Sequence, residues 1–293
     1  MQDSTPYLLR GIEAVEAQTS VLGSTSKYLN NGRLRDWLSM ICLRRNGADL
    51  PPPAELPEMM AILTELRDHP RIEALFADER RVNPQLDAWF AEGFLSRPSV
   101  IADYRDYPEG SLGGDFYRRF KGQFEVEIAA HQWQPATTQF EFFRRRQIQN
   151  HDFEHILCGG GIDALGELVP SWFRMTNVPR FIQNQELAGE LLVINLLASL
   201  RYTVRTMFHY PQVWTHCTDA IARGIAGGRA SDALFMKRIE PVLPLPLAEA
   251  RAALGVRDVV EFDTQPASDF WTGAAPTAPE PLLPGAKGLR RST

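Results

Sequence analysis

The chain has 293 residues, of which 44% are hydrophobic and 23% charged, and its formal net charge is -5. Such an apolar share is ample for a packed core and excludes wholesale disorder. The missing excess of Lys and Arg excludes nucleic acid as a partner, and three scattered cysteines (Cys42, Cys158, Cys217) with no C-x-x-C pair exclude a disulfide framework.

The N-terminus has no basic start followed by an apolar run, so it does not read as a secretory signal, and Asp3, Glu13 and Glu16 argue against a transit peptide. Apolar residues then recur at spacings of three and four over 7–22, 56–66, 71–77, 86–95 and 115–128, which predicts amphipathic helices. Breaks are expected at the proline run 51–53 and at the glycine groups 113–114, 159–161 and 227–228. The most apolar stretch, 187–200, is shorter than the ~20 residues that a spanning helix needs, so 186–209 is read as a core helix, with a lipid-tunnel wall as its alternative. Residues 256–262 are a weak strand candidate. The last thirty residues contain five prolines and are expected to form a disordered tail, 264–293. The expected architecture is all-α, one helical domain over 1–263.

The sharpest chemical feature is His151-Asp152-Phe153-Glu154-His155. At 100° per residue, His151 and His155 sit about 40° apart on one helix face, with Asp152 inside the same ~100° arc. Two imidazoles and a carboxylate converging in this way suit one divalent metal. Glu167 lies twelve residues beyond His155, about 18 Å along a straight helix and out of reach. Gly159-Gly160-Gly161 allow a reversal. A second helix starting near Asp163, whose side chain can cap Leu165 or Gly166, would return Glu167 to the histidines. The metal ligands are therefore taken as His151, Asp152, His155 and Glu167, with Asp152 and His155 as the candidate catalytic residues and Asp152 as either fourth ligand or base. Glu154 is the spare acid, solvated or a partner behind the ligands. Arg144-Arg145-Arg146 read as a solvated helix face, and Arg146 is the candidate contact for an anionic substrate group. His69, His131, His209 and His216 show no ligand spacing.

These residues resemble the Coq-four family of coenzyme Q (ubiquinone) biosynthesis proteins, whose signature is His-Asp-x-x-His, eleven residues, then Glu; here 156–166 is the interval and Glu167 closes it. Gly110-Ser111-Leu112-Gly113 with Phe116 to Phe120, and Pro246-Leu247 with Arg251 and Leu254-Gly255-Val256, resemble further family segments. Pro170, expected to interrupt the helix after Glu167, and Arg174, standing where an acid is expected, depart from the pattern, as do Gln147 and Gln149. The resemblance implies an all-helical homodimer with a divalent metal, zinc first and iron or manganese as alternatives. It also implies a prenylated quinone precursor as substrate, other ubiquinone-biosynthesis enzymes as partners, and a cytoplasmic location peripheral to the inner membrane. The implied reaction is oxidative decarboxylation at ring C1 of a prenylated hydroxybenzoate. A non-catalytic lipid-binding scaffold, and a His-Asp phosphohydrolase recruiting His131 and Asp219, are the rival readings.

Overall fold

The computed structural model describes residues 23–43, 55–97, 99–122 and 135–282. Among them there are eleven α-helices and no strand, in a single all-α domain. In chain order these are α1 (Gly32–Leu43), α2 (Glu55–Leu66), α3 (His69–Val82), α4 (Pro84–Glu92), α5 (Leu112–Phe120), α6 (Gln139–Leu157), α7 (Leu168–Phe181), α8 (Gln185–His209), α9 (Trp214–Ala230), α10 (Leu247–Leu254) and α11 (Gln265–Thr272). The helices expected at 56–66, 71–77 and 86–95 appear as α2, α3 and α4. The expected helix at 115–128 appears as α5, which ends at Phe120; residues 123–128, and the helix expected at 7–22, lie outside the described residues.

Short polar side chains set where these helices begin. Asp68, Asn83, Ser111, Thr138 and Asn184 each precede a helix and accept the backbone N–H three residues on, which satisfies one donor that the first turn leaves free. Pro170 does not interrupt α7. It is the third helical residue, where its missing N–H leaves no intrahelical bond unmade.

Three apolar clusters fill the interior. One gathers Ile72, Phe76, Trp89, Phe143, Val178 and Leu187 from α3, α4, α6 and the facing ends of α7 and α8. A second packs α1 and α2 on the middle of α8 through Leu34, Ile41, Leu63 and Leu197. The third surrounds the end of α6 and the start of α7, through Phe153, Ile156, Leu165, Leu168, Phe173, Tyr202 and Trp271. Phe153 and Phe116 stack at 4.3 Å between ring centres, worth about 0.5–1.5 kcal/mol beyond their buried area.

Two expectations are corrected. Residues 256–262 form no strand; they cross the end of α6, where the Phe262 N–H donates to the Gly159 carbonyl at 3.1 Å. The tail does not begin at 264. Residues 265–272 form α11, and Trp271 is buried against Tyr202 and Tyr210, with ring centres 5.6 and 6.0 Å away. Composition averaged over thirty residues hid this aromatic anchor, whose buried area offsets the ordering of one short helix. Residues 283–293 lie outside the described residues.

Helix α8 is long and apolar enough, by length and composition, to cross a membrane, and half of its most apolar window is buried inside the protein. A core helix passes the same test. Leu187, Leu191 and Leu197 are buried, whereas Leu196, Met207 and Phe208 are exposed.

Candidate metal centre

Helix α6 carries His151 and His155 in its last two turns, and the chain then reverses sharply. The Cys158 N–H bonds back to the Glu154 carbonyl at 2.8 Å, and the Gly160 N–H to the His155 carbonyl at 2.8 Å. This six-to-one closure needs a left-handed residue between, which Gly159 provides at φ 76°. A side chain there would be strained by the dihedral and would meet the Val260 carbonyl oxygen at 2.8 Å. Arg251 covers the exposed end of α6, donating to the Ile156 and Leu157 carbonyls at 2.7 and 2.9 Å, where a cation is favoured by the helix dipole.

The loop after the reversal is clamped from α11. Asp163 accepts from the Gly166 N–H at 3.0 Å, from the Thr264 hydroxyl at 2.6 Å and from the Ser268 hydroxyl. The Leu165 N–H goes to the Ser268 hydroxyl at 2.9 Å, so Asp163 caps Gly166 and not Leu165. Helix α7 starts at Leu168, later than Asp163, and Glu167 is its N-cap residue. Glu167 makes no side-chain cap, which leaves its carboxylate turned to the histidines.

The ligand atoms of His151, His155 and Glu167 all lie within 4.8 Å of one another. His151 Nε2 is 3.5 Å from Glu167 Oε2, and His155 Nε2 is 3.6 Å from Glu167 Oε1. Two donor atoms each ~2.1 Å from one ion at tetrahedral angles are roughly 3.4 Å apart; both imidazole–carboxylate distances match that, and the wider separations in the group, up to 4.8 Å, would close in around a shared ion. His155 Nδ1 donates to the Gly161 carbonyl at 2.6 Å. That bond fixes the tautomer and leaves the Nε2 lone pair facing Glu167, as in metal-binding histidines. The glycine run thus does two things: it turns the chain, and it presents a carbonyl that orients His155.

Burial would lower the His155 pKa, but Glu167, Asp152 and the Gly161 carbonyl together raise it above 6.5. Burial would raise Glu167, but the His155 and His151 charges hold it well below the usual carboxylate range. In the metal-free protein the pair therefore contributes stability between the two ordinary values, 4.5 and 6.5. Glu167's share falls away as pH drops through its depressed value, and His155's as pH rises through its raised value. A metal needs His155 unprotonated, so its affinity runs the other way and climbs with pH. The zinc-induced rise in melting temperature is expected to widen between pH 5.5 and 8, read by unfolding with zinc or with a chelator; a gap that narrows would contradict the ligand set.

Gly166 sits where a methyl group would fall inside the van der Waals radius of the Gly161 carbonyl oxygen. That oxygen is backbone and cannot rotate away. Gly166→Ala is therefore expected to disturb the acceptor of His155 and to weaken metal binding about tenfold or more, while circular dichroism stays helical.

The other candidates are placed elsewhere. Asp152 is exposed and stands outside the group of three, although its charge is felt by His155. It is 100° round the helix from His151, and a single methylene leaves its carboxylate in solvent. Of the four candidate ligands, the structure brings His151, His155 and Glu167 together and leaves Asp152 outside the group. Glu154 is not solvated: it is 1% exposed and accepts from Arg174 Nε at 2.5 Å, while Arg174 also donates to the Gln147 carbonyl at 2.6 Å. The unexpected Arg174 and the spare acid explain each other. Arg146 is 1% exposed and bonds Ser96, Gln149 and the Lys237 carbonyl at 2.8, 2.9 and 3.0 Å, so it ties α6 to two loops and is corrected as a substrate contact. Asp219 pairs with Arg223 at 2.5 Å on α9 and joins no metal group, and His131 lies outside the described residues. The two segments flanking the motif meet each other: the Leu112 and Gly113 N–H groups donate to the Leu245 and Leu243 carbonyls, each at 2.9 Å.

Two residues beside the site went unnoticed in the sequence. Helices α7 and α8 form a hairpin with a three-residue turn, 182–184. Residues near the turn, Val178 and Leu187, share one cluster, and the far ends, Leu168 and Tyr202, share another. Glu167 and Ser199 are both sixteen residues from Gln183, so at 1.5 Å per residue they lie level, and Tyr202 is within one turn. Tyr202 is pushed up to about 12, first by burial, and the Glu167 charge contributes. Arg201 donates to its hydroxyl at 2.7 Å, and Arg201 Nε is buried without a hydrogen-bond partner among the described residues. Only a pairing of α7 with α8 in register could have revealed this.

No protein-family model and no curated protein matches the chain. Among solved structures, it is similar to a crystal structure of a "putative ubiquinone biosynthesis protein" from Nostoc punctiforme, with a TM-score of 0.57 and 20% identity over 78% of this chain and 99% of that one. At that identity the likeness shows a shared fold.

Proposed function

We propose that this protein acts in ubiquinone biosynthesis, as a metal-dependent catalyst of oxidative decarboxylation at ring C1 of a prenylated hydroxybenzoate. One observation carries the reading: the ligand atoms of His151, His155 and Glu167 lie within 4.8 Å of one another, with His155 oriented from behind by the Gly161 carbonyl. The fold shared with the Nostoc protein supports the pathway. A divalent ion held by these three residues would supply a Lewis acid with open positions, zinc by polarisation only and iron or manganese with redox chemistry as well.

The chain's own groups have definable parts. Glu167 and the two histidines hold the ion. Arg201, in place of Arg146, pairs with the substrate's ring carboxylate, and the Tyr202 hydroxyl beside it donates to a ring oxygen. Asp152, in solvent at the rim, takes up a proton. The net change exchanges carboxyl for hydroxyl: the ring–carboxyl bond breaks and carbon dioxide leaves, while dioxygen supplies the new hydroxyl oxygen and its second atom is reduced to water by an external two-electron donor. The exposed apolar residues of α8, Leu196, Met207 and Phe208, suit a prenyl tail or a membrane surface, since each buried methylene contributes about 0.8 kcal/mol. A homodimer at the inner membrane, in contact with other enzymes of the pathway, completes the reading.

The test is genetic and chemical. In a host strain lacking this protein, quinone is expected to fall and the prenylated hydroxybenzoate to accumulate, both read by mass spectrometry. The intact gene restores the balance and Glu167→Ala does not. Full restoration by Glu167→Ala at normal protein level would favour the non-catalytic scaffold and overturn the catalytic reading.

A further inference from the structure

A second polar cluster lies toward the start of α6, away from the metal centre. Arg67, just past the end of α2, is 6% exposed; its guanidinium is hydrogen-bonded to Tyr28 and attracted by Glu190, yet its Nε and Nη1 are buried with no hydrogen-bond partner among the described residues. Its guanidinium carbon lies 4.8 Å from the centre of the Phe140 ring, and that of Arg144 lies 5.9 Å from the same ring. The hydrogen bond found for Arg144 is a long one, 3.9 Å to the sulfur of Met60. Neither arginine has a carboxylate within 4.0 Å among the described residues. The nearby acids are already engaged: Glu190 accepts from Lys27 at 2.6 Å and from the Tyr28 hydroxyl at 2.5 Å, and Glu73 accepts from the Gln139 and Phe140 N–H groups at 3.0 and 2.9 Å. Three cations, one of them Lys27 already paired with Glu190, thus face two occupied carboxylates.

Buried guanidinium donors left unsatisfied are unfavourable, and a native structure that contains them calls for an ion or ligand. Burial lowers Arg144 to about 10, with the Arg67 charge adding to the effect; the two cations repel, and an anion near both lessens both penalties. Two guanidiniums and an ammonium against the Glu190 and Glu73 carboxylates leave a net positive charge that suits an added anion. Guanidinium groups also bind planar pairs of phosphate oxygens in two-point fashion. Half-buried Arg144 and the exposed Lys27 side chain give access. We propose that Arg67 and Arg144, with Lys27 at the rim, bind a phosphate group, whether free phosphate or the headgroup of an anionic lipid. Arg144 is seven residues before His151, so this site is about 10 Å from the metal centre along α6 and on the same face. The inference does not depend on the function proposed above.

Thermal unfolding in phosphate and in chloride at matched ionic strength tests it, beside flotation with phosphatidylcholine vesicles with and without phosphatidic acid. The wild-type chain is expected to gain about 3 °C at a phosphate concentration tenfold above its dissociation constant, or to float only with the acidic vesicles. The first result assigns free phosphate and the second a lipid headgroup. Arg67→Met and Arg144→Met each lose the response; Arg144, being half-buried, serves if the first variant fails to fold. His155→Ala keeps the response, which separates this site from the metal centre, and the surface variant Arg33→Met keeps it too. Phosphate acting no better than chloride, with no preference among vesicles, would overturn the proposal, as would an undiminished response in Arg144→Met.

Discussion

Arg174→Met is expected to destabilise the protein by about 3–5 kcal/mol, because it leaves the Glu154 carboxylate buried without its counter-charge. Glu154 and Arg174 side chains are 2% and 10% exposed, and water cannot screen or replace the lost partner. The Gln147 carbonyl also loses the donor that links α6 to α7. For a chain of this size the melting temperature should drop by roughly 10 °C. The double variant Glu154→Leu/Arg174→Met removes both charges together, and it is expected to recover most of the loss. Thermal unfolding of the two single variants and the double variant checks this. Single and double variants unfolding at the same temperature would mean that the pair is not coupled.

His155→Ala has the second large effect, on metal binding and not on folding. It removes a donor from the group of three and leaves the Gly161 carbonyl without the N–H it accepts. Altering a group that merely orients a ligand already costs about 10–100-fold in affinity; removing the ligand itself should exceed that. His151→Ala should cost less, since His151 is half-exposed and water can fill its place. Zinc affinity measured by competition with a chromogenic chelator gives both values. Equal affinities for wild type and His155→Ala would place the ion elsewhere.

Periodicity and capping residues made most of the helices legible in the sequence, because each depends on neighbours within one or two turns. The His151, His155 and Glu167 cluster was legible for the same reason: the i, i+4 histidines share a face on any helix, and a glycine run permits a reversal. What escaped depends on contacts between distant residues. Arg146 reads as solvated beside Arg144 and Arg145, but the loop carrying Ser96 folds over it. Arg174 looks out of place until Glu154, twenty residues earlier, is packed opposite. Asp152 seemed a ligand because a helical wheel measures angle and not reach. The helix α11 escapes such a reading because proline content outweighs one buried tryptophan, although the helix and the residue that caps it supply Ser268 and Thr264 to the clamp on Asp163.

The most direct measurement is the metal content, by elemental analysis, of wild-type protein and of Glu167→Ala, both purified without added metal. About one divalent ion per wild-type chain, and little in the variant with its helicity intact, is the predicted result. A wild-type protein that is folded, helical and metal-free even after zinc is supplied would contradict the assignment of His151, His155 and Glu167 as a metal centre.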